Sequence, residues 1–430
     1  MFKYLSQIWQ AKDLRNKILF TLGMVLVFRI LAHITIPGVN TAALQSAFDQ
    51  NSILGAFSLL TGGSAENFSV VLMGLSPYIN AVIIVQLLTV IIPKLETLSK
   101  EGEQGRQKIT SYTRWLSFPL AFIQSYGMIL LINSQSSTPI IDNMSDPSVI
   151  LPIMLTVTAG TIILMWIGEL ITEKGISNGV SVLIFAGIIA GLPSIAAKVF
   201  ALASQDTSKL IPFTGGILIT IILTVVIIMI TEGQRRIPVT YAGRSQSIKG
   251  EQASLPIRIN QAGMIPIIFA VSIVSFPGVI AQFMANGESA WVISAGTWMQ
   301  TNFAAGTLLY MTLYFFLIIA FTYFYVSVTF NPDQVAENIQ KRGGFIPGIR
   351  PGKQTAEYLK VVSNRLNLFG GLFIAVIAVM PILLQKATSG TGSIPMLISG
   401  AGMIIVVGVV LDLIRQINAQ LMMHNYEKFY

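Results

Sequence analysis

Apolar residues along the chain gather into ten long runs separated by polar connections. With a window of about 19 residues, the runs fall near 18–36, 74–92, 115–133, 150–171, 180–201, 211–231, 260–284, 306–329, 367–385 and 395–414. Each is about the length that crosses a hydrocarbon core of roughly 30 Å as a helix rising about 1.5 Å per residue. The pattern predicts an all-α polytopic membrane protein with ten transmembrane helices. One stretch departs from it. Asn51 to Pro93 is too long for a single crossing, and only Gly74 to Ile92 is apolar enough to span. Before that, Leu54 to Phe68 holds a short apolar turn, AFSLL, then Gly62-Gly63, then Ser64, Glu66 and Asn67. Non-helical backbone at membrane depth persists only where it lines a cavity or is buried in protein. The stretch therefore predicts a half-inserted plug followed by a kinked spanning helix, in the middle of something hollow.

The polar connections carry an orientation signal. Lysine and arginine crowd the N-terminal segment and the loops 93–114, 232–259 and 330–366. The alternate connections 37–73, 134–149 and 285–305 contain neither residue, and the two remaining ones add only Lys198, Lys209 and Lys386. Positive loops stay inside, so both termini are expected in the cytoplasm. Ten spans with both ends inside divide into five plus five, 1–205 and 206–430. Two repeats with an odd number of spans must be inverted. A local match supports this: Gly74-Leu-Ser-Pro77-Tyr-Ile79 opens the second span and Gly263-Met-Ile-Pro266-Ile-Ile268 lies early in the seventh. The same spacing also occurs in a loop at Gly344 to Ile349. Pro77 and Pro266 are expected to bend their spans, since proline removes an intrahelical hydrogen bond.

Two cytoplasmic loops have internal structure. The segment 232–259 alternates small β-formers around Ala242-Gly243 and reads as a projecting hairpin. In 330–366, Asn331-Pro332 forms an N-cap with proline at the first helical position. A helix follows to about Arg342, then a tight tip, IPGIRPG, with Pro351-Gly352 suited to the centre of a type II turn. A second helix (353–366) continues into the ninth span. Two stiff basic protrusions on one face make a docking surface.

Composition narrows the function classes. Of 430 residues, 53% are hydrophobic and 11% charged, against about 25% charged in soluble domains, and the mean hydropathy is +0.70. The basic start leads into a full-length apolar run and not a short signal core, so no removable signal peptide is expected. With no cysteine and only His33 and His424, no metal site, cofactor or catalytic centre is expected, and no HExxH, paired intramembrane aspartates or Ser–His pair is present. An ion-coupled solute transporter built from inverted repeats remains the alternative reading. It would call for buried carboxylates or broken helices converging on a midplane site, and mid-span acids are essentially missing.

Several stretches, in order, resemble the SecY/Sec61-alpha family of protein translocase channels: GLSPYINAVIIVQLLTVIIP, KEGEQGRQKITSYTRW, GELITEKGISNGVS, EGQRRIPVTYAGR, NQAGMIP and FNPDQVAENIQKRGGFIPGIRPGKQTAEYL, with Asp412 near the end. The resemblance implies a protein-conducting channel in the bacterial plasma membrane, with two inverted five-helix halves around an hourglass pore. It passes unfolded secretory polypeptides across and releases hydrophobic segments sideways into lipid. Carried over position by position, a pore ring falls on Leu75, Ile79, Val180, Ile184, Ile268 and Ile405. Apolar rings dewet a narrow passage and resist ions without a charge. The plug, roughly Phe57 to Phe68 and a short re-entrant helix in the family, falls on Phe57, Leu59, Leu60, Gly62, Gly63, Glu66 and Asn67, and the polar cluster of a lateral gate on Asn80, Gln124 and Asn260. Arg235, Arg236 and Arg350 fall on the protrusions that meet the motor ATPase SecA and the ribosome. SecE and SecG are the small subunits implied, and signal sequences and membrane lipid the other partners. Arg29, the only basic residue well inside a run, receives no firm role. Glu169 and Asp412 are expected at the cytoplasmic interface.

Overall fold

The computed structural model describes residues 7–40, 43–44, 64–65, 67–134, 139–141, 146–205, 210–241, 254–285, 289–304, 306–388 and 399–427. The chain divides into two compact units, Met1–Asp206 with Ser272–Tyr310 and Val409–Tyr430, and Thr207–Val271 with Met311–Gly408. The helices are α1 (Lys12–Leu31), α2 (Ser76–Ile91), α3 (Pro93–Lys100), α4 (Glu103–Ser134), α5 (Pro147–Lys174), α6 (Gly179–Gln205), α7 (Leu210–Glu232), α8 (Ile265–Ala285), α9 (Ala290–Asn302), α10 (Leu308–Thr329), α11 (Pro332–Lys341), α12 (Lys353–Thr388) and α13 (Gly400–Glu427). The described residues also form four short strands: β1 (Gln234–Pro238), β2 (Thr240–Tyr241), β3 (Ser254–Arg258) and β4 (Gly344–Phe345).

In the first unit, α2 packs on α4, α4 on α5, α5 on α6, and α1 on α5. Small residues permit the closest approaches. A Cβ at Gly160 of α5 would lie 2.0 Å from the Val70 carbonyl oxygen, and one at Gly179 would lie 1.9 Å from that of Gly168. Gly160→Ala should therefore destabilise the protein by about 1–3 kcal/mol, because a backbone carbonyl cannot be repacked like a flexible side chain. Thermal unfolding in detergent measures this against Gly23→Ala, where a Cβ meets nothing within 4 Å. Asp146 caps α5, its carboxylate accepting from the Ser148 amide at 3.0 Å and hydroxyl at 2.8 Å, with Pro147 in the first turn. These bonds hold the Asp146 carboxyl below the usual carboxylate range. The cap is thus present near neutral pH and lost as pH falls through that lowered value. Near the chain ends, Ile8, Ala11 and Leu14 share one apolar cluster with Ile176 and Leu421, so the N-terminal segment and the end of α13 pack together.

In the second unit, β1 and β3 form the expected antiparallel hairpin, with Ile237 opposite Leu255. The second loop also matches its reading. Asn331 Oδ1 accepts from Asp333 N at 3.1 Å and Gln334 N at 3.3 Å. Gly352 has φ +94°, as the third position of a type II turn requires, and the helix from Lys353 runs unbroken to Thr388.

A helix overlaps each of the ten apolar runs. By length and composition, six helices of the described residues can cross a membrane, or seven if the bent pair Ser76–Ile91 and Pro93–Ser99 counts as one span. The pair bends by 107° where Pro93 opens α3, not at Pro77. Pro77 and Pro266 each stand second in their helices, where a missing N–H is no loss. The bends expected at these two prolines are therefore absent, because both residues start a helix and do not interrupt one.

Candidate functional site

Four of the six ring positions share one aliphatic cluster in the first unit. Leu75 is the N-cap of α2, and the Ile79 amide donates to its carbonyl at 2.9 Å. One helical turn separates the two, so both face the same way. Val180 and Ile184 repeat this spacing on α6, whose start is set by Asn178: its Oδ1 accepts from Val180 N at 3.1 Å and Ser181 N at 3.3 Å. Buried Leu75, with half-buried Ile79, Val180 and Ile184, packs with Phe28, Val71, Leu164, Ile167, Ile171 and Leu183. In the second unit, Ile268 is half-buried on the first turn of α8, and Ile405 is buried on α13.

The approach to the two proline-started helices is the same. Gly74 and Gly263 both adopt left-handed backbone, φ +56° and +65°, two residues before α2 and α8 begin. Glycine adopts this conformation at no steric cost. The chance match at Gly344 lies in β4 and lacks positive φ. The structure thus separates the matched pair from the coincidence, which spacing alone did not.

Of the plug positions, Phe57, Leu59, Leu60, Gly62, Gly63 and Glu66 lie outside the described residues. The segment that follows is firmly held. Asn67 Nδ2 donates to the Ala32 carbonyl at 3.3 Å. Ile36 N donates to Phe68 O at 3.1 Å and Val70 N to Ile34 O at 3.0 Å, with Thr35 and Ser69 forming a bridge. Phe68 carries φ +42° and is 1% exposed, beside fully buried Ser64, Ala65 and Ser69. A bulky residue in that region signals strain held by its surroundings.

Asn80 and Gln124 are buried on α2 and α4, which pack on each other; Gln124 Oε1 has no hydrogen-bond partner among the described residues. Asn260 is also buried, and its amide is engaged locally. Oδ1 accepts from Gly263 N at 2.9 Å, and Nδ2 donates to Gly263 O at 3.4 Å, which fixes the left-handed turn into α8. Glu169 pairs with Arg114 at 2.7 Å, joining α5 to α4, and Asp412 pairs with Arg415 at 3.2 Å. Position at a span end signals neither partner.

The two basic loops form one body. β2 pairs with β4, Thr240 opposite Phe345 and Tyr241 opposite Gly344. A Cβ at Gly344 would meet the Tyr241 ring at 2.7 Å. Ile237, Val239 and Ile257 from the first loop pack with Ile339, Ile346 and Leu359 from the second. Arg235 and Arg236 stand exposed on β1. Arg350 stands exposed at the tip, where its carbonyl accepts from Thr355 Oγ1 at 3.0 Å.

A family model described as SecY matches residues 69–414. The chain is 40% identical over 445 residues to the protein translocase subunit SecY of Streptomyces scabiei, with both chains fully covered. It is 42% identical to that of Mycobacterium bovis, with 97% of each covered. Among solved structures, one described as a protein conducting channel superposes with TM-score 0.68 at 18% identity, covering 94% of this chain and 92% of that one. Another, of a SecY protein whose plug domain is described as stabilising the closed state of the translocation channel, gives the same score at 19% identity over the same shares. These relatives are channel subunits and not enzymes, and no solute transporter is among them. The chain belongs to the SecY family, multi-span membrane proteins that form the channel of the protein translocase.

Proposed function

We propose that this chain forms its pore from ten spans, arranged as two inverted halves, 1–205 and 206–430, in a bacterial plasma membrane. The single observation that carries the pore is the shared aliphatic cluster of Leu75, Ile79, Val180 and Ile184. Ile268 and Ile405 complete the ring in this reading. Aliphatic side chains exclude ions and offer a passing polypeptide no fixed partner, so passage is indifferent to sequence. The matched glycine–proline starts of α2 and α8 support the inverted repeat. Packing of the N-terminal segment against the end of α13 supports both termini on one side, and the basic loops make that side the cytoplasm.

Phe57 to Phe68 is the plug. Asn80, Gln124 and Asn260 belong to the lateral gate. SecA and the ribosome dock on Arg235, Arg236 and Arg350, and SecE and SecG complete the assembly. Crosslinking a stalled secretory chain to a photoreactive residue at Ile79 or Ile268 tests the pore. Adducts along the whole passing chain are expected, and adducts to the signal segment alone count against it. For the gate, Asn260→Leu should shift the signal-sequence hydrophobicity needed for export, since it removes both bonds that fix the turn into α8. Export assays with a graded set of signal sequences measure this, and an unchanged threshold removes Asn260 from the gate.

A further inference from the structure

A cavity of about 720 Å³ lies between the end of α10 and the first half of α12. One end is lined by Tyr323, Phe324 and Asn367, and the other by Pro332, Asp333 and Lys353. Both helices belong to segments long and apolar enough to cross a membrane. The first set of residues lies toward the apolar spans and the second in the polar connection between them. On the span reading proposed above, the cavity falls at the level of lipid headgroups.

Its chemistry is dipolar. Lys353, Lys360, Asp333 and Glu357 all line it, and among the described residues none of these side chains is ion-paired. Asn367 is 3% exposed. Its Nδ2 donates to Ser363 Oγ at 3.5 Å, while its Oδ1 has no partner among the described residues and needs a donor. Tyr323 donates to the Asn364 carbonyl at 3.5 Å and ties the two walls together. Two cations beside two anions do not select a simple anion; they match one molecule carrying both signs. The aromatic rings at the membrane end suit its ester and acyl region.

We propose that this cavity binds the headgroup of an aminophospholipid, with its phosphate on Lys360 and Lys353. Its ammonium N–H groups meet Asp333 or Glu357. A phosphatidylcholine headgroup has the same charges and no N–H donor, so it binds worse.

The test places a photoreactive residue at Ser327, which lines the cavity, in the complete translocase in native membranes. The expected adduct has the mass of a phospholipid; a polypeptide adduct overturns the proposal. In reconstituted vesicles, phosphatidylethanolamine should label about tenfold better than phosphatidylcholine or phosphatidylglycerol, as loss of charge-assisted bonds implies. Lys360→Ala should remove that preference, and Lys360→Arg, which keeps the charge and the fold, should retain it. Equal labelling of all three lipids overturns the proposal, as does a preference untouched by Lys360→Ala with Glu357→Gln. Complete displacement of the lipid by free phosphoethanolamine assigns the cavity to a soluble phosphate ester and likewise overturns it.

Discussion

Deletion of Leu59 to Asn67 should raise the resting ion conductance of the channel in planar bilayers by about tenfold or more. An aliphatic ring resists ions by dewetting, and a passage sealed by the ring alone keeps only part of its barrier. Tenfold corresponds to about 1.4 kcal/mol of barrier. The deletion also removes structural contacts: Asn67 bonds to the Ala32 carbonyl, and the Ser69 amide donates to Ser64 O at 3.0 Å. A shorter deletion, Leu59 to Gly63, spares these bonds and should leak as well. Unchanged conductance in both variants, with normal insertion, refutes the plug. Leakage confined to the longer one reports a damaged anchor and counts against the plug equally.

Arg350→Glu should abolish SecA-driven transport while the protein still inserts and folds. The tip needs nothing from this side chain. Its shape comes from the left-handed glycines Gly348 and Gly352, φ +82° and +94°, from the Ile349 amide donating to Ile346 O at 3.0 Å, and from Thr355 on the Arg350 carbonyl. The guanidinium itself stands exposed. Charged anchors at interface centres contribute about 2 kcal/mol or more, and reversal adds repulsion, so a loss of about 30-fold or more is expected. Transport of a secretory precursor into inverted vesicles measures it, with equal protein levels and protease patterns as the control for folding. Normal transport refutes the docking role. Because β2–β4 pairing joins the two loops, Tyr241→Ala should weaken the same step with Arg350 intact.

Much of the fold was legible locally. Ten apolar runs of spanning length each meet a helix, because a chain in lipid must satisfy its backbone groups within itself. The Asn331 cap, the Gly352 turn and the β1–β3 hairpin are decided by neighbours in sequence, so a short window sees them. Spacing alone puts bends at Pro77 and Pro266 that the structure lacks, because a proline's effect depends on where the helix starts. That start is set by the left-handed glycine before each one. The pairing of 34–36 with 68–70, the Arg114–Glu169 bridge and the β2–β4 contact had no local signal at all. Their partners are separated by some tens of residues or more, and only packing brings them together.

The sequence by itself determined a multi-span helical membrane protein, its basic loops and, through its long motifs, the SecY family. These follow from solvent preference and local backbone chemistry, which act residue by residue. Only the tertiary structure decided that Leu75, Ile79, Val180 and Ile184 share one cluster and that the two basic loops are a single body. Each depends on which backbones can approach. Gly160 and Gly179 set that for the first unit and Gly344 for the second, through the absence of a side chain.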